Sequence, residues 1–210
     1  SRMNLNSTTD KLTTTMERLS TGLKINKAGD DAAGLVISEN MEAYIRSSKQ
    51  AMNNIQTAES YLTIAEDGMV SISDHFQRIN DLLTNMANDT NDTTSRTAAV
   101  REIIERLDEI NRLAETTNFN GRTMLDGSQQ NDKIIVQLGP DSTELSTLDI
   151  SPSLTDCHVS VLGTTLPTEL DPDGGAFNPT NENCRAYMKK IQDAISVLAE
   201  RRGLLGAFEN

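Results

Sequence analysis

Few residues in this 210-residue chain have the types and spacing that chemistry needs. The only histidines are His75 and His158, and neither has a second histidine one helical turn away with a glutamate beside it, as a helix-borne zinc site requires. Asp171-Pro172-Asp173-Gly174-Gly175 offers carboxylates for calcium, but the alternating ligand positions of a 12-residue loop are missing, so it reads as a plain turn. Cys157 and Cys184 are too few for a disulfide framework and lack metal-ligand spacing; a pair and two free thiols are both open. Glycosylation-type triplets begin at Asn6, Asn88 and Asn91 and are read as incidental to a composition rich in Asn and Thr. No nucleophile, base and orienting group can be assembled, so the expectation is a protein without catalytic residues, metal or cofactor.

What remains is architecture. Only 36% of residues are hydrophobic and 3% aromatic, with no Trp, so Ala, Leu, Ile and Met supply the apolar content. Slender helical packing has much surface for its volume and suits small aliphatic seams, whereas a round enzyme core buries several large rings. The net charge of −12 repels phosphate backbones and anionic lipid, which argues against nucleic acid and membrane surfaces as partners. The sequence holds no apolar run long enough to span a bilayer and opens with no secretory signal.

From Asp30 to about Asn88 there is no proline, and apolar residues keep a seven-residue period. Ile55, Leu62, Met69, Phe76 and Leu83 form one register; Ala51, Ala58, Ala65, Ile72, Ile79 and Met86 form a second, spaced from the first as a and d positions are. This predicts a helix of roughly 90 Å with one seam facing a partner along its length. The run from Asn88 to Ser95 is a turn and N-cap, and a second helix follows to about Thr117 with Val100, Ile103, Leu107, Ile110 and Ala114 inward. Its outer face spaces Arg101 with Glu105, Glu102 with Arg106, and Asp108 with Arg112 as i to i+4 pairs. Phe119-Asn120-Gly121-Arg122 reads as a tight turn, and Ile134, Val136 and Leu138 alternate as in a half-buried strand. Pro140, Pro152, Pro167 and Pro172 then punctuate a loop section. Asn178-Pro179-Thr180-Asn181 opens a last helix in which Cys184, Ile191, Leu198 and Leu205 repeat every seven residues. The expected fold is mainly α, an elongated antiparallel coiled-coil or helical-bundle rod with a short β-hairpin and loop section. Residues 1–127 and 176–210 form the rod core and 128–175 a short β/loop insertion. The heptads already run at Leu5, Leu12 and Leu19, and the last helix reaches Asn210 without a capping signal, so the sequence reads as a fragment cut at both ends.

One segment is specific enough to name a family. Leu19-Ser20-Thr21-Gly22-Leu23-Lys24-Ile25-Asn26-Lys27-Ala28-Gly29-Asp30-Asp31-Ala32-Ala33-Gly34 resembles the amino-terminal signature of bacterial flagellins. Gln77-Arg78, Ala87-Asn88-Asp89-Thr90, Thr117-Asn118-Phe119-Asn120-Gly121, Met124-Leu125 and the closing Arg202 to Asn210 stretch match the same pattern. In physical terms Gly22 and Gly29 permit backbone turns closed to other residues, and Asp30 and Asp31 sit where a helix N-terminus favours negative charge.

The resemblance implies a structural subunit of the extracellular flagellar filament, self-assembling through helical packing for motility. It implies other subunits of the same kind as partners, and a flagellar export chaperone for the full-length chain. With the terminal segments that fold only in the filament absent, this fragment is expected to be soluble and monomeric. The loop at Gly22, Asn26, Gly29, Asp30 and Asp31 would touch a neighbouring subunit. Gln77, Arg78, Leu82, Asp108 and Arg112 match the face read by an innate Toll-like receptor; Asn80 removes a charge there and Asp108 is a shorter acid than usual, which implies weakened recognition. The extracellular setting would permit a disulfide between Cys157 and Cys184. Two other readings are a hook-filament junction protein sharing the same helical ends, and an intracellular coiled-coil scaffold.

Overall fold

The structure, a computed structural model, describes residues 2–130, 133–174 and 176–209. The chain is mainly α. Among the described residues four α-helices follow in order, α1 (Arg2–Thr21), α2 (Ala32–Met86), α3 (Thr93–Thr116) and α4 (Asn181–Glu209), with four short strands between α3 and α4. The strands form two antiparallel pairs, β1 (Asn118–Phe119) with β2 (Arg122–Thr123) and β3 (Ile135–Gln137) with β4 (Thr147–Asp149). Packing divides the chain into a unit of Ser1–Asn53 with Gly139–Ser142, and a unit of Asn54–Leu138 with Thr143–Asn210.

The second unit holds the hydrophobic core, and the heptads put it there. Leu62, Ala65, Met69, Ile72, Phe76, Ile79, Leu83 and Met86 of α2 are buried, as the two registers require. Val100, Ile103, Leu107, Ile110 and Ala114 of α3 face them, with Cys184, Tyr187, Ile191, Ala194, Leu198 and Leu205 of α4. Each fully buried aliphatic or aromatic side chain contributes roughly 1.5–3 kcal/mol of transfer free energy. Polar bridges fix the directions. Arg78 of α2 reaches Glu102 of α3, while Glu66 and Asn80 of α2 meet Arg202 and Gln192 of α4, so α2 runs antiparallel to both. The core cluster begins at Tyr61, because Ile55 and Ala58 are only half-buried, although Ala51 before them is buried as its register requires.

Helix ends follow their capping chemistry. Asp92 caps α3, its carboxylate accepting from Ser95 N at 2.9 Å, and Thr180 Oγ1 accepts from Asn183 N at 3.2 Å at the start of α4. The Asn120-Gly121 turn has both residues at positive φ, 49° and 79°, which gives the type I′ geometry a two-residue hairpin needs. Hydrogen bonds pin the long connection to α4 along its length. Cys157 N donates to Leu125 O at 2.8 Å, Val159 N to Asn111 Oδ1 at 3.0 Å, and Tyr187 Oη to Thr164 O at 2.5 Å.

The first unit differs in kind. Residues of α1 are exposed apart from the half-buried Thr14 and Glu17, among the residues whose side chains are described. Leu5, Leu12, Met16 and Leu19 form an exposed stripe along α1, and Ile37, Met41, Tyr44, Ile45 and Met52 form another along the first part of α2. Both stripes follow helical spacing, so apolar faces made by the sequence lack a partner within this unit.

Candidate functional site

Two places matched the flagellin pattern, and each lies within one unit. The first is the loop between α1 and α2. Gly22 adopts φ 71° and its N–H donates to Arg18 O at 2.9 Å, ending α1 with the left-handed residue that only glycine adopts at little cost. The two aspartates divide the work. Asp30 Oδ2 accepts from Asn26 N at 3.2 Å and Lys27 N at 3.3 Å, drawing the loop into a knot, and these backbone donors hold its carboxyl below the usual range. Asp31 Oδ1 accepts from Gly34 N at 2.9 Å and so caps α2. Lys27 Nζ bridges to Glu17 Oε1 at 2.8 Å, tying the loop to the last turns of α1.

Gly29 departs from expectation. It has no positive φ, and a Cβ there would meet nothing within 4 Å, so no backbone constraint demands glycine. The crowded position is Gly34, where a Cβ would sit 2.5 Å from Asp31 Oδ2 and 2.8 Å from Ile25 Cδ1. Gly34 belongs to the same sequence signature. Only the folded loop reveals that its missing side chain makes room for the capping carboxylate.

The second place is the α2–α3 face. Gln77, Arg78, Asp108 and Arg112 are exposed, whereas Leu82 is 9% exposed and counts with the core. Arg78 grips Glu102 with two donors, Nε to Oε1 at 2.8 Å and Nη2 to Oε2 at 3.3 Å, and the guanidinium depresses the Glu102 carboxyl. Glu102 also meets Arg106 at 3.5 Å, as the i to i+4 spacing predicts, and Arg106 lies 3.4 Å from His75 Nδ1. Burial, aided by Arg106, pushes the half-buried His75 below its ordinary pKa. Arg112 does not pair with Asp108. Its partner is Glu109, at the i to i+3 spacing, reached by Nε at 2.7 Å and by a second close contact. Arg101 and Glu105 form no ion pair among those of the described residues. Glu109 is the residue that spacing rules miss here, since both spacings are open to an arginine.

The Cys157–Cys184 pair is not formed. Both thiols are buried and free. Cys157 lies near enough to Arg201 to feel its charge, and Arg201 stands about 25 Å along α4 from Cys184 by helical rise, far outside disulfide reach. Asp171 makes a local turn, its Oδ1 accepting from Asp173 N at 3.0 Å; Gly175 lies outside the described residues. Among the described residues no group of three or more His, Cys, Asp and Glu could hold a metal ion, and no helix is long and apolar enough to cross a membrane.

A mainly helical core, an Asp-capped loop and a charged α2–α3 face define a mainly α protein. Residues 1–130 match the family described as the bacterial flagellin N-terminal helical region. A flagellin of Halalkalibacterium halodurans is 35% identical over 195 residues, covering 93% of this chain and 67% of its own. A flagellin of Clostridium tyrobutyricum is 44% identical over 126 residues, and there the match spans only 33% of the relative. The crystal structure of Bacillus cereus flagellin superposes with TM-score 0.59 at 27% identity, over 74% of this chain and 81% of that one. A structure described as a flagellar hook-associated protein from Vibrio parahaemolyticus gives the same TM-score of 0.59 at 15% identity, over 87% of this chain and 92% of that one, a likeness of fold alone. This chain belongs to the bacterial flagellin family.

Proposed function

We propose that this chain is a structural subunit of the bacterial flagellar filament, exported from the cell and working by self-association, with no reaction to catalyse. Family membership supports it. The observation that carries the mechanism is the pair of exposed apolar stripes on α1 and on the first part of α2. Contiguous apolar surface of this extent on a soluble protein marks an interaction site, and repeated copies of the chain supply a partner at every site. The loop at Gly22, Asn26, Gly29, Asp30 and Asp31 would meet the neighbouring subunit, held rigid beforehand by Asp30 and Asp31. In this reading residues 1–127 and 176–210 form the helical core and 128–175 an insertion. The full-length chain would travel with a flagellar export chaperone.

The test is electron microscopy of a flagellin-null strain expressing the full-length protein. Long filaments are expected. Bare hooks, or short caps at hook tips, would move the assignment to the hook-filament junction protein.

The α2–α3 face supports a second, narrower proposal: recognition by an innate Toll-like receptor is weak. Arg78 and Arg112 are already engaged by Glu102 and Glu109, and Leu82 is turned into the core. A receptor would have to break formed ion pairs and would find little apolar surface at Leu82. Reporter cells carrying the receptor should respond far below a strongly recognised flagellin at equal protein; full-strength signalling would refute this.

A further inference from the structure

The eight methionines are divided by environment. Met3, Met16, Met41 and Met52 are 87%, 63%, 62% and 62% exposed, and all four lie in the first unit. Met69, Met86 and Met124 are at most 1% exposed and Met188 is half-buried, and all four lie in the second. Three of the exposed ones stand within the apolar stripes. Met16 lies between Leu12 and Leu19 on α1, and Met41 and Met52 share a face of α2 with Ile37, Tyr44 and Ile45.

We propose that Met16, Met41 and Met52 form an oxidation site, open to peroxide in the unassembled subunit, whose conversion to sulfoxide blocks packing of the two stripes. The proposal rests on the reading that those stripes are the surfaces of self-association. In the reaction the thioether sulfur attacks one oxygen of hydrogen peroxide. The O–O bond breaks as the S–O bond forms, a proton moves to the departing hydroxide, and water leaves. Sulfur loses two electrons and peroxide gains them. The product is a polar sulfoxide with a strong hydrogen-bond acceptor where an apolar, adaptable side chain stood. Burying it against aliphatic neighbours without a donor carries the penalty of an unsatisfied polar group. A flexible thioether suits an association surface because it fills irregular gaps, and the same residue makes that surface sensitive to oxidant. The core methionines of the second unit lie beneath packed side chains, so peroxide reaches them only when the bundle opens.

Two measurements on the full-length chain test this separately. The first is a time course of hydrogen peroxide treatment read by peptide mass spectrometry, which needs no assembly. Met16, Met41 and Met52 should gain one oxygen on the order of tenfold faster than Met69, Met86 and Met124; equal rates would overturn the site. The second is seeded filament growth by treated and untreated protein. Peroxide should lower incorporation severalfold, and methionine sulfoxide reductases should restore it. The Met16→Leu/Met41→Leu/Met52→Leu variant keeps both stripes apolar but unoxidisable, and should incorporate equally with and without peroxide. Loss of incorporation by that variant after peroxide would overturn the assignment to these residues. The same peroxide map on preformed filaments checks the underlying reading. Protection of these methionines supports it; undiminished oxidation removes the stripes from the interface, while the relative rates in the free subunit still decide the oxidation site.

Discussion

Single carboxylates and one guanidinium decide how the chain turns between helices. Asp31 closes the first turn of α2 through Gly34 N, and replacing an aspartate cap by alanine typically costs about 1 kcal/mol. Asp31→Ala should speed amide hydrogen exchange in the first turn of α2 while leaving α4 unchanged. Arg96 does a comparable job elsewhere. Its guanidinium donates to Pro179 O at 2.6 Å, Asn88 O at 3.0 Å and Asn181 Oδ1 at 3.1 Å, so one side chain ties the α2–α3 turn to the start of α4. Because those carbonyls lose a charged donor together, Arg96→Met should destabilise the second unit by about 2–3 kcal/mol in urea unfolding, by the usual worth of hydrogen bonds to charged groups. No spacing rule would have picked out Arg96, since its partners come from two distant segments. Burial pushes the Cys157 thiol up to about 12 and raises that of Cys184 as well. Neither should be alkylated in the native protein at pH 8, and both should react on unfolding.

Among the elements, the helices and the antiparallel pairing of α4 with α2 were legible, whereas individual side-chain partners were not. A seven-residue period survives any local detail, because it states only which residues share a face; the buried positions of α3 matched it residue by residue, and in α4 Cys184, Ile191, Leu198 and Leu205 are buried with Tyr187 and Ala194 while Met188 and Ile195 are half-buried. The hairpin at Asn120-Gly121 was equally open, since few dipeptides satisfy two positive φ values. The continuity of the α2 seam was hidden: Ile55 and Ala58 keep the heptad yet are half-buried, because the burial of a heptad position depends on whether a partner helix reaches it. The partner of Arg112 and the need for Gly34 were hidden for the same reason, as both depend on atoms brought close only by folding. Phe76 is fully buried at the centre of the α2 seam, so Phe76→Ala should cost about 3–5 kcal/mol, read from the midpoint of chemical denaturation. The capping and bridging carboxylates Asp92, Asp126, Glu102 and Asp149 all have folded-state pKa values below their unfolded ones. Their contribution is therefore present above the unfolded carboxylate range and is lost as pH falls through the depressed values. Half-buried His75, whose pKa is lowered, starts a shallow decline as pH falls below about 6.5, and the carboxylates add a steeper one below about 4, measurable by thermal melts across that window.

For the molecule as a whole, charge and apolar exposure are distributed in opposite ways. In the first unit seven Lys and Arg balance seven Asp and Glu, so the second unit, with 12 against 24, carries the whole net charge of −12. The neutral unit presents the apolar stripes, whereas the acidic unit holds the hydrophobic core and exposes large apolar residues such as Ile135, Leu145 and Val161 without a helical stripe. Copies can therefore meet through the first unit without direct like-charge repulsion there, while the second unit's charge opposes crowding and keeps free subunits apart. Screening should relieve that opposition, so filament growth should accelerate as monovalent salt rises from about 0.01 to 0.15 M, where the Debye length falls from about 30 to 8 Å. In the proposed assembly the chain builds filaments through the α1 and α2 stripes. A helical reconstruction by cryo-electron microscopy of filaments made from the full-length protein tests it most directly. Leu12, Met16 and Leu19 of α1 and Met41 and Ile45 of α2 should be buried against neighbouring subunits; filaments in which those side chains face solvent would contradict assembly through the stripes.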